Sequence, residues 1–164
     1  MTLLPWQIRR NLKMSFAYFL QSEVADTTVF YKGVEQPIDI RVGNAPQQNW
    51  SMPNISVYLD SRPAVRGFIG NNKRIESYLM IIDVRGLDDG MRSDLTDWVS
   101  DTINDGFDVY TYTPSSVTPD DPDKVLYGKA SIDFVTDTPL RNTENSDISE
   151  KFRQNISINV TIAI

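Results

Sequence analysis

Residues 74–104 read RIESYLMIIDVRGLDDGMRSDLTDWVSDTIN, and this stretch decides the fold. In its first half Tyr78, Met80, Ile82 and Val84 recur at every second position, so they share one face of a strand. Leu79 and Ile81 add apolar residues to the other face, which predicts a strand whose centre is covered on both sides. In its second half Met91, Leu95, Trp98 or Val99, and Ile103 recur at three- and four-residue steps, the stripe of an amphipathic helix. Asp88 or Asp89 can cap the first turn, where a carboxylate also suits the helix dipole. A strand feeding such a helix is half of an α/β layer, because the stripe needs a sheet to cover. Leu95, Trp98 and Ile103 are therefore expected to face Tyr78, Ile82 and the apolar side of the C-terminal strand.

Upstream, residues 5–22 form a helix in this reading. Pro5 fits its first turn, Thr2 is a candidate cap, and Ile8, Leu12, Phe16 and Phe19 or Leu20 make its stripe, with Arg9, Arg10 and Lys13 mostly off it. Two β-rich runs, 27–31 and 37–42, flank residues 32–36, which predict a hairpin loop around Gly33. Residues 43–54, GNAPQQNWSMPN, read as a loop in which Trp50 either folds back on the core or anchors a partner. Ile55, Val57 and Leu59 alternate with polar residues as a half-buried strand. Residues 61–74, SRPAVRGFIGNNKR, read as a loop with Phe68 and Ile69 at its tip. It carries Arg62, Arg66, Lys73 and Arg74 with no acid among them. It is either a solvated loop or a contact arm that reaches an acidic neighbour.

Downstream, Gly106 is expected to terminate the helix and FDVYTYT to start a strand. Residues 114–124, PSSVTPDDPDK, form an exposed loop whose aspartates lack the glycine and closing glutamate of a calcium loop. Residues 125–137 should pair back on the previous strand, and 138–147 make a second polar loop. The clearest alternation is FRQNISINVTIAI, residues 152–164. Phe152, Ile156, Ile158, Val160, Ile162 and Ile164 share one face, with Gln154 the exception, and Arg153, Asn155, Ser157, Asn159, Thr161 and Ala163 share the other. That polar face, uncharged from Asn155 onward, is either plain solvent-facing surface or a surface packed against a partner.

Composition narrows the functional classes. The 164 residues fit one domain, residues 1–164, and their 40% hydrophobic content is ordinary for a folded chain. The net charge of −6 disfavours general affinity for nucleic acid or anionic lipid. The sequence has no cysteine and no histidine. Their absence removes thiolate nucleophiles, zinc–thiolate sites, the commonest general base and any serine–histidine–acid triad. No run reaches the ~20 apolar residues of a membrane helix, and no signal peptide is read at the N-terminus. Gly86 and Gly90 do not make a phosphate-binding loop, and Asp60, Asp83, Asp88 and Asp89 are scattered over strand ends and a cap. No catalytic residue, metal ligand or cofactor is expected.

Helices gathered on one face of a mainly antiparallel sheet make an α+β fold. The order of elements resembles the tail terminator and tail-completion proteins of tailed bacteriophages. The resemblance is carried by the size, the N-terminal helix, the unit ESYLMIIDVRGLDDGMRSDLTDWVSDTI, the long stretch before it and the β-rich C-terminal part. It covers most of the chain and rests on pattern and order, without a short motif. It implies a non-enzymatic ring, usually a hexamer, that caps the tail tube and joins it to head-completion and connector proteins. The implied location is the virion, at the tail–neck junction, after assembly in the host cytoplasm. DNA passing through such a ring needs no sequence-specific contact. PSSVTPDDPDK is a departure from the family pattern. Two other readings remain open, a different neck, head-closure or minor tail protein, and a small carboxylate-based enzyme that the missing histidine disfavours. The candidate subunit or tube interface comprises Trp50, Arg62, Arg66, Phe68, Lys73 and Arg74, with Arg153, Asn155, Ser157 and Asn159 on the polar strand face.

Overall fold

The fold was derived from a computed structural model, which describes residues 5–24, 27–43, 51–60, 64–69, 73–103, 106–112, 123–140 and 152–163. Helix α1 spans Pro5–Val24 and α2 spans Asp89–Thr102. The strands in chain order are β1 (Val29–Tyr31), β2 (Val34–Gln36), β3 (Asp39–Val42), β4 (Asn54–Leu59), β5 (Ala64–Ile69), β6 (Lys73–Arg85), β7 (Phe107–Thr111), β8 (Val125–Leu140) and β9 (Arg153–Ala163). The main sheet runs β3-β4-β6-β9-β8-β7, antiparallel except for the parallel β3–β4 pair, with β5 added beside β6. The result is an α+β fold in which both helices pack on the sheet, as the alternation and stripes predicted.

Parity along β6 and β9 sets the layers. Tyr78, Met80, Ile82 and Val84 pair with Val160, Ile158, Ile156 and Gln154, so two apolar rows meet on the helix side. Gln154, the exception in the apolar row, is buried there and donates to the Asp137 carboxylate. Ile8, Leu12, Phe16 and Leu20 of α1 and Met91, Leu95, Val99 and Ile103 around α2 are buried against those rows. Trp98 lies at the margin of this core, half-buried, and Val99 fills the stripe position between Leu95 and Ile103. Leu79 and Ile81 are only half-buried, so the far face of β6 is not fully covered at its centre as its apolar content predicted. Asp88 is the helix cap: its side chain accepts a hydrogen bond from the Met91 N–H at 2.7 Å.

Several local expectations are corrected. Residues 32–36 are not a hairpin loop between two long runs. Val34–Gln36 is itself strand β2, joined to β1 through a two-residue turn at Lys32 and Gly33, both at positive φ. β3 then pairs with β4 instead of β1. Residues 61–74 are not one loop, because Ala64–Ile69 and Lys73 onward form an antiparallel β5–β6 pair. The glycine and cations masked the strand signal of Val65, Phe68 and Ile69, and pairing with β6 overrides weak propensity. Residues 138–140 belong to β8, not to a loop, because pairing with β9 continues to Leu140↔Arg153. Pro139 is tolerated there because β7 covers β8 only over Val125–Ala130, and among the described residues no strand pairs with that edge further along. Asn54 starts β4, and residues 44–50 and 113–122 lie outside the described residues.

Gly106 does not end the helix. α2 stops at Thr102, and Gly106 instead begins the entry to β7 at φ +88°. A Cβ on it would lie 2.1 Å from the Ala130 carbonyl oxygen, so the close approach of β7 to β8 requires glycine.

Candidate functional site

The face of the sheet opposite the helices carries a charged cluster spanning three adjacent strands. Register sets Asn54 and Ser56 of β4 beside Arg85 and Asp83 of β6, and these beside Arg153 and Asn155 of β9. Asp83 accepts from both guanidinium groups. Arg85 Nη2 lies 2.7 Å from Asp83 Oδ2, and Arg153 Nε lies 2.7 Å from Asp83 Oδ1. Asp83 and Arg85 are fully buried, while Arg153 is partly exposed. Tyr58 stands near the same group, and its phenol is pushed above the ordinary tyrosine value. Burial contributes most, followed by the negative charge of Asp83, with Arg153 and Arg85 opposing. A buried carboxylate shared by two guanidiniums fixes strand register and side-chain geometry and leaves no lone acid to move a proton. Arg153, a candidate interface residue, is thus engaged inside its own chain.

The rest of the polar strand face is placed as expected. Asn155, Ser157 and Asn159 lie on β9 opposite the helices, all half-buried. The Asn155 Oδ1 is buried without a hydrogen-bond partner.

The cationic candidates fall on the β5–β6 arm. Phe68 pairs in register with Arg74, and Ile69 with Lys73. Val65 pairs with Glu76 and Gly67 with Ile75, so Arg66 is the extra residue of a β-bulge, which twists a strand locally. The arm occupies the edge of β6 that β4 leaves free. β4 pairs with Met80–Arg85 and β5 with Lys73–Ser77. Among the described residues β5 has no strand on its outer edge, and Lys73 and Arg74 lie beyond the last β9 pairing at Ile75↔Ala163. Trp50 and Arg62 lie outside the described residues.

Sequence reasoning missed a groove between the β1–β2 hairpin and α2. It has a volume of about 460 Å³, with Thr27, Val29 and Phe30 on one wall and Asp88, Met91, Asp94, Leu95 and Trp98 on the other. Phe30 is 62% exposed, although it is a large apolar residue. Its cross-strand neighbour is Glu35, also exposed. α2 presents Asp89, Asp94, Asp97 and Asp101 to solvent, and its one cation, Arg92, is ion-paired to Asp89 at 2.8 Å. The signal was present in the sequence as four aspartates and one arginine on α2, but the partner wall, Thr27–Phe30, is brought beside them only by the fold.

A second, smaller cleft of about 270 Å³ lies between α1 and β7, lined by Ser15, Tyr18, Phe19, Phe107, Tyr110 and Lys129, among others. Lys124 Nζ sits 4.0 Å from the centre of the Tyr18 ring, and the Ser15 Oγ accepts from the Tyr110 N–H at 2.9 Å. These contacts tie α1 to the edge strand. Among the described residues no group of three or more Asp or Glu side chains is arranged to hold a metal ion. No helix among them is long and apolar enough to cross a membrane.

No family model matches the chain, and no curated protein matches it.

Proposed function

We propose that this chain is a structural subunit of a tailed-phage virion that forms a ring, of hexameric type, at the tail–neck junction. In this reading the ring caps the tail tube and joins it to the head-completion and connector proteins, and the chain performs no chemistry. The observation that carries the reading is the order and placement of elements. An N-terminal helix and a strand–helix unit pack on an antiparallel sheet, beside a two-stranded arm and a long β-rich C-terminal part. The cations of the arm stand in a chain of net charge −6, which suits head-to-tail contact between unlike surfaces. The polar row Asn155–Ser157–Asn159 supplies an uncharged face for the tube or the ring lumen.

The experiment is gel filtration with light scattering at high protein concentration, electron microscopy of the particles, and incubation with isolated tail tubes. Rings that cap tube ends are the expected result. A chain that stays monomeric and leaves tube ends open overturns the reading. Reversing Arg62 and Arg66 to glutamate should leave the fold within about 0.5 kcal/mol and block ring formation or tail joining.

A further inference from the structure

The first two turns of α1 and the middle of α2 carry the same pattern with opposite charge. On α1, Trp6, Arg9, Arg10 and Lys13 stand at i, i+3, i+4 and i+7, so they share one face of the helix. Trp6 is 58% exposed, and the three cations are half-buried. The Arg10 guanidinium lies 5.5 Å from the centre of the Trp6 ring, and its Nη2 donates to the Tyr112 carbonyl at 3.2 Å, so the indole is held against its own helix. The one acid of α1, Glu23, is at the other end of the helix. Burial, and then the charge of Arg9, hold the Lys13 ammonium below its ordinary pKa, because like charges crowd this face.

On α2, Asp94, Asp97, Trp98 and Asp101 stand at the same four offsets. The three aspartates are exposed and Trp98 is half-buried. Arg92 lies off this stripe, and Asp89 matches its charge. Asp94 and Trp98 also line the groove whose other wall carries exposed Phe30, with Glu35 beside it. Trp6 cannot reach that groove within its own chain. Thr27, on the groove wall, donates its N–H to the Val24 carbonyl at 2.8 Å, so the groove opens beside the C-terminal end of α1. From Val24 back to Trp6 is roughly 27 Å along the helix axis at ~1.5 Å per residue.

We infer that the Trp98 stripe of α2, with the Phe30 groove beside it, receives the Trp6 stripe of α1 from a second copy of this chain. This rests on the ring reading above and names both faces of one subunit contact. Each stripe spans the same length of helix, with one tryptophan among three charges of one sign, so the two match in size and oppose in charge. An aromatic anchor among opposite charges gives a contact both strength and a single orientation. The two faces differ, and each copy offers one of each. That is the condition for a head-to-tail series of contacts that closes into a ring when the rotation permits.

The test uses two charge-reversed chains, Asp94→Lys/Asp97→Lys on α2 and Arg9→Glu/Lys13→Glu on α1. Circular dichroism melts check that each folds, and light scattering after gel filtration, with capping of isolated tail tubes, reads assembly. Each variant alone should self-associate at least about tenfold more weakly than the wild type, since like charges then face each other. An equimolar mixture should recover rings, because each variant's α1 stripe matches the other's α2 stripe. Trp6→Ser and Phe30→Ser remove exposed anchors without touching a charge, and they carry the test if a reversed chain fails to fold. Each should weaken association, and undiminished association in both overturns the contact. Rings that persist with either stripe reversed, or a mixture that fails to recover them, overturn this contact and leave the ring reading standing. Rings of the α2-reversed chain that form normally but no longer join tails show that α2 meets a neck protein instead of a second copy, which also overturns it. A wild-type chain that is monomeric and leaves tube ends open overturns both.

Discussion

Asp83 and Arg85, two residues apart on one strand, form an ion pair at 2.7 Å with neither side chain exposed. Neighbours on one face of a strand do not ordinarily bury opposite charges. Here Arg153 from β9 completes the arrangement on the other carboxylate oxygen. Asp83→Asn should destabilise the fold by about 3–5 kcal/mol, because it leaves the buried Arg85 guanidinium without its counter-charge. Urea unfolding checks this. Breaking the exposed Arg41–Asp39 pair with Arg41→Ala should cost less than about 1 kcal/mol. Equal effects of the two substitutions would show that Asp83 is not holding the cluster.

Leu95 is fully buried under α2, whereas Trp98 lies half-buried along the groove. Leu95→Ala should therefore cost about 2–5 kcal/mol, and Trp98→Ala less despite the larger side chain. Full burial of Trp98 would instead give it a loss of about 3–5 kcal/mol. Denaturant midpoints of the two variants decide between these orders.

Gly106→Ala should destabilise by more than about 1 kcal/mol, since the new methyl meets the Ala130 carbonyl and the backbone sits at positive φ. Gly33→Ala places a methyl in open space at a similarly positive φ, so only backbone strain remains and its cost should be smaller. Thermal melts in parallel check the ranking.

Tyr58, Tyr110 and Tyr127 all hold their phenol protons above the ordinary value of 10.0. Burial is the main cause in each, followed by the carboxylates of Asp83, Asp108 and Glu76 respectively. Above pH 10 the folded chain thus binds more protons than the unfolded one. The stability these groups contribute is complete below pH 10 and falls as pH rises through their folded values. Ultraviolet titration should show Tyr58, Tyr110 and Tyr127 ionising late. Urea midpoints should decline above pH 10, and Tyr58→Phe should flatten part of that decline.

The elements that were legible in the sequence are those whose pattern is self-contained. The alternation of β9 and the β6–α2 unit each place their apolar rows without knowledge of a partner, and both rows are buried as read. β2 and β5 were not legible, because three residues in one case and a glycine-bearing run in the other become strands only through pairing. The Asp83–Arg85–Arg153 cluster was missed for a related reason. Its third member comes from β9, 70 residues away, and only the Asp83↔Asn155 register brings it alongside. The arm cations and the polar β9 row were singled out by composition and parity, and the structure puts the latter on the sheet face opposite the helices. The groove beside α2 was not legible, because its two walls come together only in the fold.

β9 lies between β6 and β8, the two longest strands, so the sheet is joined through its middle by the strand formed last in chain order. Until residues 153–163 leave the ribosome, the β3-β4-β6 and β7-β8 pieces have no shared backbone ladder. Their adjoining edges stay open to other strands in the meantime. Pairings such as Ile75↔Ala163 also close very long loops, which slows folding. A nascent chain halted before β9 therefore lacks the middle of its sheet, so synthesis itself delays the folded state until the strand that joins both halves is present.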